Sequence, residues 1–472
     1  MKTHFKKLTY SYVLVHLLFG LNANATSLRD SVEQTINTNP DIIAEHYNKK
    51  ENRINIQKEE SDYYPTLDFT TYVEESTTKS DYEDATRDTN VDKNGWNANL
   101  KFEQVLYDGG QTPKEIEQFR HKYYNIKFTS NDAVENIILE VTNTYLDLLL
   151  NQTLEAFGKF KLKAHNYYLK LAEEKEDISG EILDRLQVQS KISSLIDSNL
   201  NQEVKNQKSF SIYEKLTGES ISGNICRPII DETLIPKTLE AAIAHAINND
   251  NRIRAQYELV QEQKAAISIQ QAKFLPDLKL QVQADWDNDL KLEENGQKDI
   301  YRARLESSWN FYEGGKDSIE LQREKITMLK ERKVLDAIKN DVRDEIKGTY
   351  NTYFQLKKRI ENLRKFVDIN NQIVTVYREQ LKEGSRTFLD LLNAETEVFR
   401  TKILLEEEEI NRYKEYFNIL KALNKLSDSI LTKENIECKP FDLSTILPDY
   451  ETQYKSAEAE LEETSKELGL EE

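Results

Sequence analysis

Two hydrophobic periods alternate along this chain, and the whole alternation occurs twice. Over Leu67, Phe69, Thr71 and Val73, and again over Trp96, Ala98, Leu100 and Phe102, every second position is apolar or β-branched. The same period returns at Leu278, Leu280, Val282, Ala284 and Trp286, and at Tyr301, Ala303, Leu305, Ser307, Trp309 and Phe311. A period of two predicts strands with one apolar and one wet face. The wet positions are Asn97, Asn99, Lys101 and Glu103, then Lys279, Gln281, Gln283 and Asp285, then Arg302, Arg304, Glu306 and Asn310. After each strand pair the period changes to a helical one and holds over about 113–175 and 316–382. At about 1.5 Å per residue each such helix spans roughly 90–100 Å. The second carries a 3/4 alternation, Tyr353, Leu356, Ile360, Leu363, Val367, Asn370, Val374, Tyr377 and Leu381, interrupted only by Asn370, which is a coiled-coil seam.

Strand gives way to helix at paired glycines, Tyr107-Asp108-Gly109-Gly110 and Tyr312-Glu313-Gly314-Gly315. Gly109, Gly110, Gly314 and Gly315 are the expected hinges, since glycine reaches positive φ without a side-chain clash. A phosphate cradle is a poor fit, because neither copy has GxGxxG and Gly314-Gly315-Lys316 is not a P-loop. The chain therefore reads as two tandem copies of helix, strand pair, long helix and shorter helix. The first copy covers 26–225, with strands at about 65–78 and 94–107 and helices at about 113–175 and 182–216. A linker, 226–237, leads to the second copy, 238–425, with strands at about 276–287 and 299–312 and helices at about 316–382 and 388–423. An equatorial segment and acidic tail, 426–472, complete the chain. Asn39-Pro40 is an expected break in the first helix.

Composition turns this pattern outward. Only 38% of residues are apolar and 31% are charged, little for a compact core in 472 residues. Residues 1–25 carry Lys2, Lys6 and Lys7, an apolar run from Val13 to Leu21, and Ala23-Asn24-Ala25, the signature of a secretory signal peptide cut before Thr26. Without its three lysines the net charge moves from −19 to about −22, which leaves no basic face for nucleic acid. No later stretch has the apolar length of a membrane helix, so membrane insertion must use the strands. Their length and their tryptophans suit tilted spanning strands with interfacial aromatics, and the polar stretches Glu74–Lys93 and Asn288–Lys298 are the expected outer loops. A soluble sheet packed on helices is the competing reading of the same alternation. Four strands cannot close a barrel, so three copies sharing about twelve strands are expected. The fold class expected is mostly α with a membrane β-barrel portion, a homotrimeric 12-stranded barrel continued by a long periplasmic α-helical barrel.

Chemistry is sparse. His46, His121, His165 and His245 are scattered, and HExxH, a nucleophile elbow and CxxC are all missing from the sequence, so no enzyme, metal site or cofactor is expected. Cys226 and Cys438 occupy analogous places after the two copies; export permits a disulfide and the pseudo-symmetric placement argues for separation, which leaves both states open.

These features, with the motif Gly384-Ser385-Arg386-Thr387-Phe388-Leu389-Asp390-Leu391-Leu392-Asn393-Ala394, resemble the TolC family of outer-membrane channel-tunnels over nearly all of 27–425. Tyr-Asp/Glu-Gly-Gly, Asp285-Trp286-Asp287 and Arg386-Thr387-Phe388-Leu389-Asp390 look most like the branch serving type I secretion. The resemblance implies a homotrimer in the outer membrane of a Gram-negative bacterium, reaching into the periplasm. It implies a periplasmic adaptor and an inner-membrane ABC transporter as partners. A multidrug or small-molecule efflux pump, with a proton-driven transporter, is the alternative, and a periplasmic coiled-coil scaffold is the alternative of another class. Carried over by motif, Asp390 matches the first position of a constricting aspartate ring, Asn393 stands where the second aspartate occurs, and Arg386 matches a gate arginine. Asp184 matches its acidic partner, Leu381 replaces a gate tyrosine, and Gly384 and Ser385 are the implied adaptor contacts. The residues by themselves also read as helix caps and a loop charge.

Overall fold

The computed structural model describes residues 26–80, 89–221, 225–290, 296–432 and 439–440. The expected signal peptide, Cys438 and nearly all of the tail lie outside the described residues. In order the elements are α1 (Leu28–Thr38), α2 (Pro40–Glu60), β1 (Thr66–Ser80), β2 (Thr89–Asp108), α3 (Gln111–Ser179), α4 (Leu183–Thr217) and β3 (Cys226–Arg227). Then come α5 (Leu239–Asn249), α6 (Asn251–Ala272), β4 (Asp277–Asn288), β5 (Gln297–Ser308), α7 (Lys316–Lys382), α8 (Phe388–Ala422), α9 (Leu426–Leu431) and β6 (Lys439–Pro440). The protein is mostly helical with one antiparallel four-stranded sheet, β1-β2-β4-β5. No described helix is long and apolar enough to cross a membrane.

Local chemistry explains where elements begin and end. Asn39 caps α2, its Oδ1 accepting from the Asp41 and Ile42 amides at 3.0 and 3.4 Å, and Pro40 takes the first turn, where its missing N–H is no loss. Asp250 does the same for α6 without a proline, accepting from Arg252 N at 2.8 Å and Ile253 N at 3.3 Å. The first hairpin is longer than its apolar alternation: β1 and β2 stay paired from Thr66↔Glu103 out to Ser80↔Thr89, so most of the expected loop Glu74–Lys93 is strand. Its Ser76-Thr77-Thr78 run carries two β-branched residues that tolerate strand geometry without an apolar face. β5 is shorter than expected and stops at Ser308 opposite Asp277, the first residue of β4. Pro276, with no N–H to offer, leaves Trp309 to Tyr312 without a ladder inside the chain.

α3 is the central rod. Above the waist it packs on α2 and α6, and below it on α4 and α8, while α7 packs on α5 and α6 above and on α8 below. The main apolar cluster sits at the waist, around Val32, Ile138, Tyr145, Leu149, Val342, Ile346, Tyr353, Phe417 and Leu420. There the Tyr145 hydroxyl lies 2.6 Å from Cys226 O and 2.9 Å from Thr26 O, and it accepts from Cys226 N at 3.1 Å. Cys226 is disulfide-bonded, and Cys438 is the only other cysteine of the chain. A second cluster fills the lower coil: Tyr168, Ala172, Val188, Ile192, Val374, Leu391, Leu392 and Val398.

Candidate functional site at the lower helical tip

The candidate residues gather where the two helical hairpins turn, at 180–182 and 383–387. α7 ends because Gly384 adopts φ +73°, which turns the chain back so that Gly384 N donates to Leu381 O at 3.0 Å and Ser385 N to Gln380 O at 2.9 Å. The Ser385 hydroxyl donates to the same carbonyl at 3.0 Å. Thr387 then starts α8 with a reciprocal cap: Asp390 N donates to Thr387 Oγ1 at 3.2 Å, and Asp390 Oδ2 accepts from Thr387 N at 3.2 Å and Thr387 Oγ1 at 2.9 Å. These bonds from Thr387, backbone first, hold the Asp390 carboxyl below the usual carboxylate range. Asp390 is thus a half-buried, ionised cap, and Asn393 is exposed one turn later on α8.

Arg386 and Asp184 do not pair within one chain. The Arg386 guanidinium lies over the Tyr377 ring at 4.4 Å, and its Nε donates to Gln380 Oε1 at 3.1 Å. Asp184, buried on the first turn of α4, accepts from Lys175 Nζ at 2.6 Å, and Lys175 also meets Glu181 at 3.1 Å. Lys175, on the last turns of α3, faces the first turn of α4 directly across a short turn, whereas Arg386 folds back on its own helix. Arg185 and Glu176 add a second ion pair across the α3–α4 turn. Lys175 Nζ stands 5.9 Å above the Phe388 ring, which ties that turn to α8. Leu381, half-buried, packs on the lower cluster.

Sequence reasoning missed Lys175, Gln380 and a buried charge higher up, Glu395. On α8, Leu391, Leu392, Glu395 and Val398 share one buried stripe, so an acid at an apolar step of a 3/4 pattern was the available signal. At the other end the hinge glycines Gly109, Gly110, Gly314 and Gly315 have φ +69°, +82°, +62° and +81°.

Residues 242–425 match the family model described as outer membrane efflux protein. The outer membrane efflux protein BepC of Brucella suis biovar 1 (strain 1330) is 19% identical over 350 residues, 72% of this chain and 75% of that protein. Among solved structures, CusC superposes with a TM-score of 0.74 at 14% identity, covering 84% of this chain and 91% of that one. The Campylobacter jejuni CmeC outer membrane channel does so with a TM-score of 0.72 at 12% identity, covering 94% and 99%. The fold of these channels is the fold of this chain, helical tunnel below and β-barrel portion above. By the match over 242–425 and its likeness to BepC across most of its length, the chain is similar to outer membrane efflux proteins, and it shares the fold of the CusC and CmeC channels.

Proposed function

We propose that three copies of this chain form one passive exit duct, the outer-membrane component of a tripartite export machine. The observation that carries the reading is the open sheet. β1 and β5 are its two edges, and its outer face exposes Leu67, Phe69, Val73, Tyr301 and Leu305, with Val73 81% exposed. Unpaired edges are not viable in lipid, and three four-stranded sheets closing edge to edge remove them. The helices repeat the argument below the membrane. On one flank α4 exposes Ile196, Leu200 and Val204, and on the other α7 exposes Ile369, Ile373 and Val376, stripes that a neighbouring copy covers. The duplicated order of elements gives the domain division its sense: 26–225 and 238–425 each contribute one hairpin of strands and one of helices to the wall, joined by 226–237.

In this reading the lower tips form the gate. Asp390 and Asn393 from three copies line the constriction, and the free edge of each tip lets Arg386 of one copy reach Asp184 of the next in competition with Lys175. Gly384 and Ser385, at the outermost turn, meet the periplasmic adaptor. The cargo is protein delivered by an inner-membrane ABC transporter, on the strength of the Asp285-Trp286-Asp287 and Arg386-to-Asp390 motifs. A second reading, small-molecule efflux driven by a pump, draws on the naming of BepC as an efflux protein. Planar-bilayer conductance of purified trimer decides the shared part: small cation-selective steps that enlarge in Asp184→Ala/Arg386→Ala are expected, and trimeric protein without channel activity refutes the duct in favour of the scaffold. Deleting the gene and scoring lost secretion of a large surface protein against raised drug susceptibility separates the two cargo classes.

A further inference from the structure

Two departures from the alternation pattern lie on the two free edges of the sheet. Across one chain a ladder line runs Asp68, Lys101, Gln283, Arg302, and the highest complete line runs Val73, Trp96, Asn288, Gln297. Above it only β1 and β2 continue, from Glu74↔Gly95 to Ser80↔Thr89, with no ladder partner in β4 or β5. At the foot the reverse holds: the apolar steps Trp309 and Phe311 run on past the last β4–β5 pair, Asp277↔Ser308, and are exposed. An overhang at the top of one edge and at the foot of the other is the outline of a staggered seam. A barrel needs that stagger, because its strands close only when tilted. Sliding β1 of one copy down along β5 of the next brings both overhangs into use, whereas the opposite slide leaves β5 only a few rungs.

The slide has few allowed values. It moves by even steps, since an odd one turns the wet face of one edge towards the apolar face of the other. Three equal seams share the stagger, so at about 3.3 Å per residue and about 4.8 Å per strand a slide of four, six or eight residues tilts the strands by about 35°, 45° or 55°. Membrane barrels tilt by about 35–45°, which excludes the longest slide. The shortest sets Asp68 opposite Glu306, two like charges. The middle one sets Glu74 opposite Arg302 on the lumenal face, and Leu67 opposite Trp309 on the lipid face. Glu74 and Arg302 are exposed and make no ion pair among the described residues. We propose that β1 of one copy docks on β5 of the next in this register, 66–79 against 310–297, with Glu74 and Arg302 as the pair that fixes it. Pro65, which has no N–H to donate, ends the seam at its foot. The inference rests on the trimeric duct proposed above and names its closing contact.

Cysteine pairs read the register directly. Residues directly opposite on two strands have Cβ atoms about 4.5–5.5 Å apart and diagonal ones about 7–8 Å, so oxidation without a spacer selects the true partner. Thr70→Cys/Glu306→Cys on the lumenal face and Thr71→Cys/Leu305→Cys on the lipid face are expected to give covalent trimers on heated, non-reducing gels. Thr70→Cys with Arg304→Cys or Ser308→Cys is expected to lose most of that product. Within one chain β1 and β5 are separated by β2 and β4, so the bond forms between copies. Glu74→Arg and Arg302→Glu each lower the temperature at which the trimer dissociates, and together they restore it. Preferential linking of Thr70→Cys to Arg304→Cys or Ser308→Cys overturns the register and leaves the trimer standing. Charge reversals whose losses add in the double variant overturn Glu74 and Arg302 as the fixing pair. Trimers, sized by light scattering, that link through none of the four pairs overturn the seam. Wild-type protein that is monomeric by the same measurement overturns the trimeric reading, and the seam with it.

Discussion

The two strand-to-helix hinges share a motif and differ in what surrounds them. At the first, Asp108 accepts from the amides of Gly110 and Gln111 at 3.0 Å and of Thr112 at 2.7 Å, and also from the Thr112 hydroxyl. A Cβ on Gly109 would meet Ala272 O at 2.6 Å. At the second, the Glu313 side chain meets Lys316 Nζ in an exposed contact at 3.5 Å and caps no amide among the described residues, and a Cβ on Gly314 or Gly315 meets nothing within 4 Å. The cause is position in the sheet. β2 lies inside it, with β4 and the end of α6 packed beside the turn, whereas β5 is an edge. The same four-residue signal thus marks a buried junction in one copy and an open flank in the other.

The difference is open to test, and Gly109→Ala carries the largest expected effect. Positive φ and the backbone clash together cost about 3–5 kcal/mol, read as a lowered melting temperature of the purified protein in detergent. Gly315→Ala at the second hinge costs about 1 kcal/mol from φ alone if its surroundings are empty. A loss equal to that of Gly109→Ala breaks the contrast and places another chain tightly against the second hinge.

The long helices extend the comparison. His165 of α3 and Asn370 of α7 stand equally far beyond their glycine pairs, and both are buried. Asn370 donates to Thr401 Oγ1 at 3.1 Å. His165 has no partner at Nδ1, and burial, helped by the Lys161 charge, pushes its pKa down to about 4. The unfolded chain takes up this proton near 6.5, so the His165 contribution is complete above that pH and is lost as pH falls towards about 4, by about 2–3 kcal/mol. His165→Asn, which copies the second repeat, is expected to flatten the acid limb of the melting temperature. An unchanged limb shows that the burden lies elsewhere.

The smallest difference expected is at the caps. Asp108→Ala removes three amide partners and costs about 1–2 kcal/mol, while Glu313→Ala stays within about 0.5 kcal/mol, both by thermal melts of the purified protein. Equal losses at the two sites contradict the assignment of Asp108 as a helix cap.

The sequence by itself determined the kinds of element and their order. A period of two and a period near 3.6 leave traces that no packing detail erases, because each strand or helix must present one apolar face whatever it packs against. Asn39-Pro40, the glycine pairs and Thr387-x-x-Asp390 are equally local, since a cap or a positive φ is settled within a few residues. Only the tertiary structure decided the sheet order β1-β2-β4-β5, the early end of β5, the holding of Asp184 by Lys175 and of Arg386 by Tyr377, and the meeting of Tyr168, Arg378 and Glu395. Alternation looks the same in an edge strand as in a central one. A charge's partner depends on which helix lies across from it, and neither relation leaves a periodic mark in the chain.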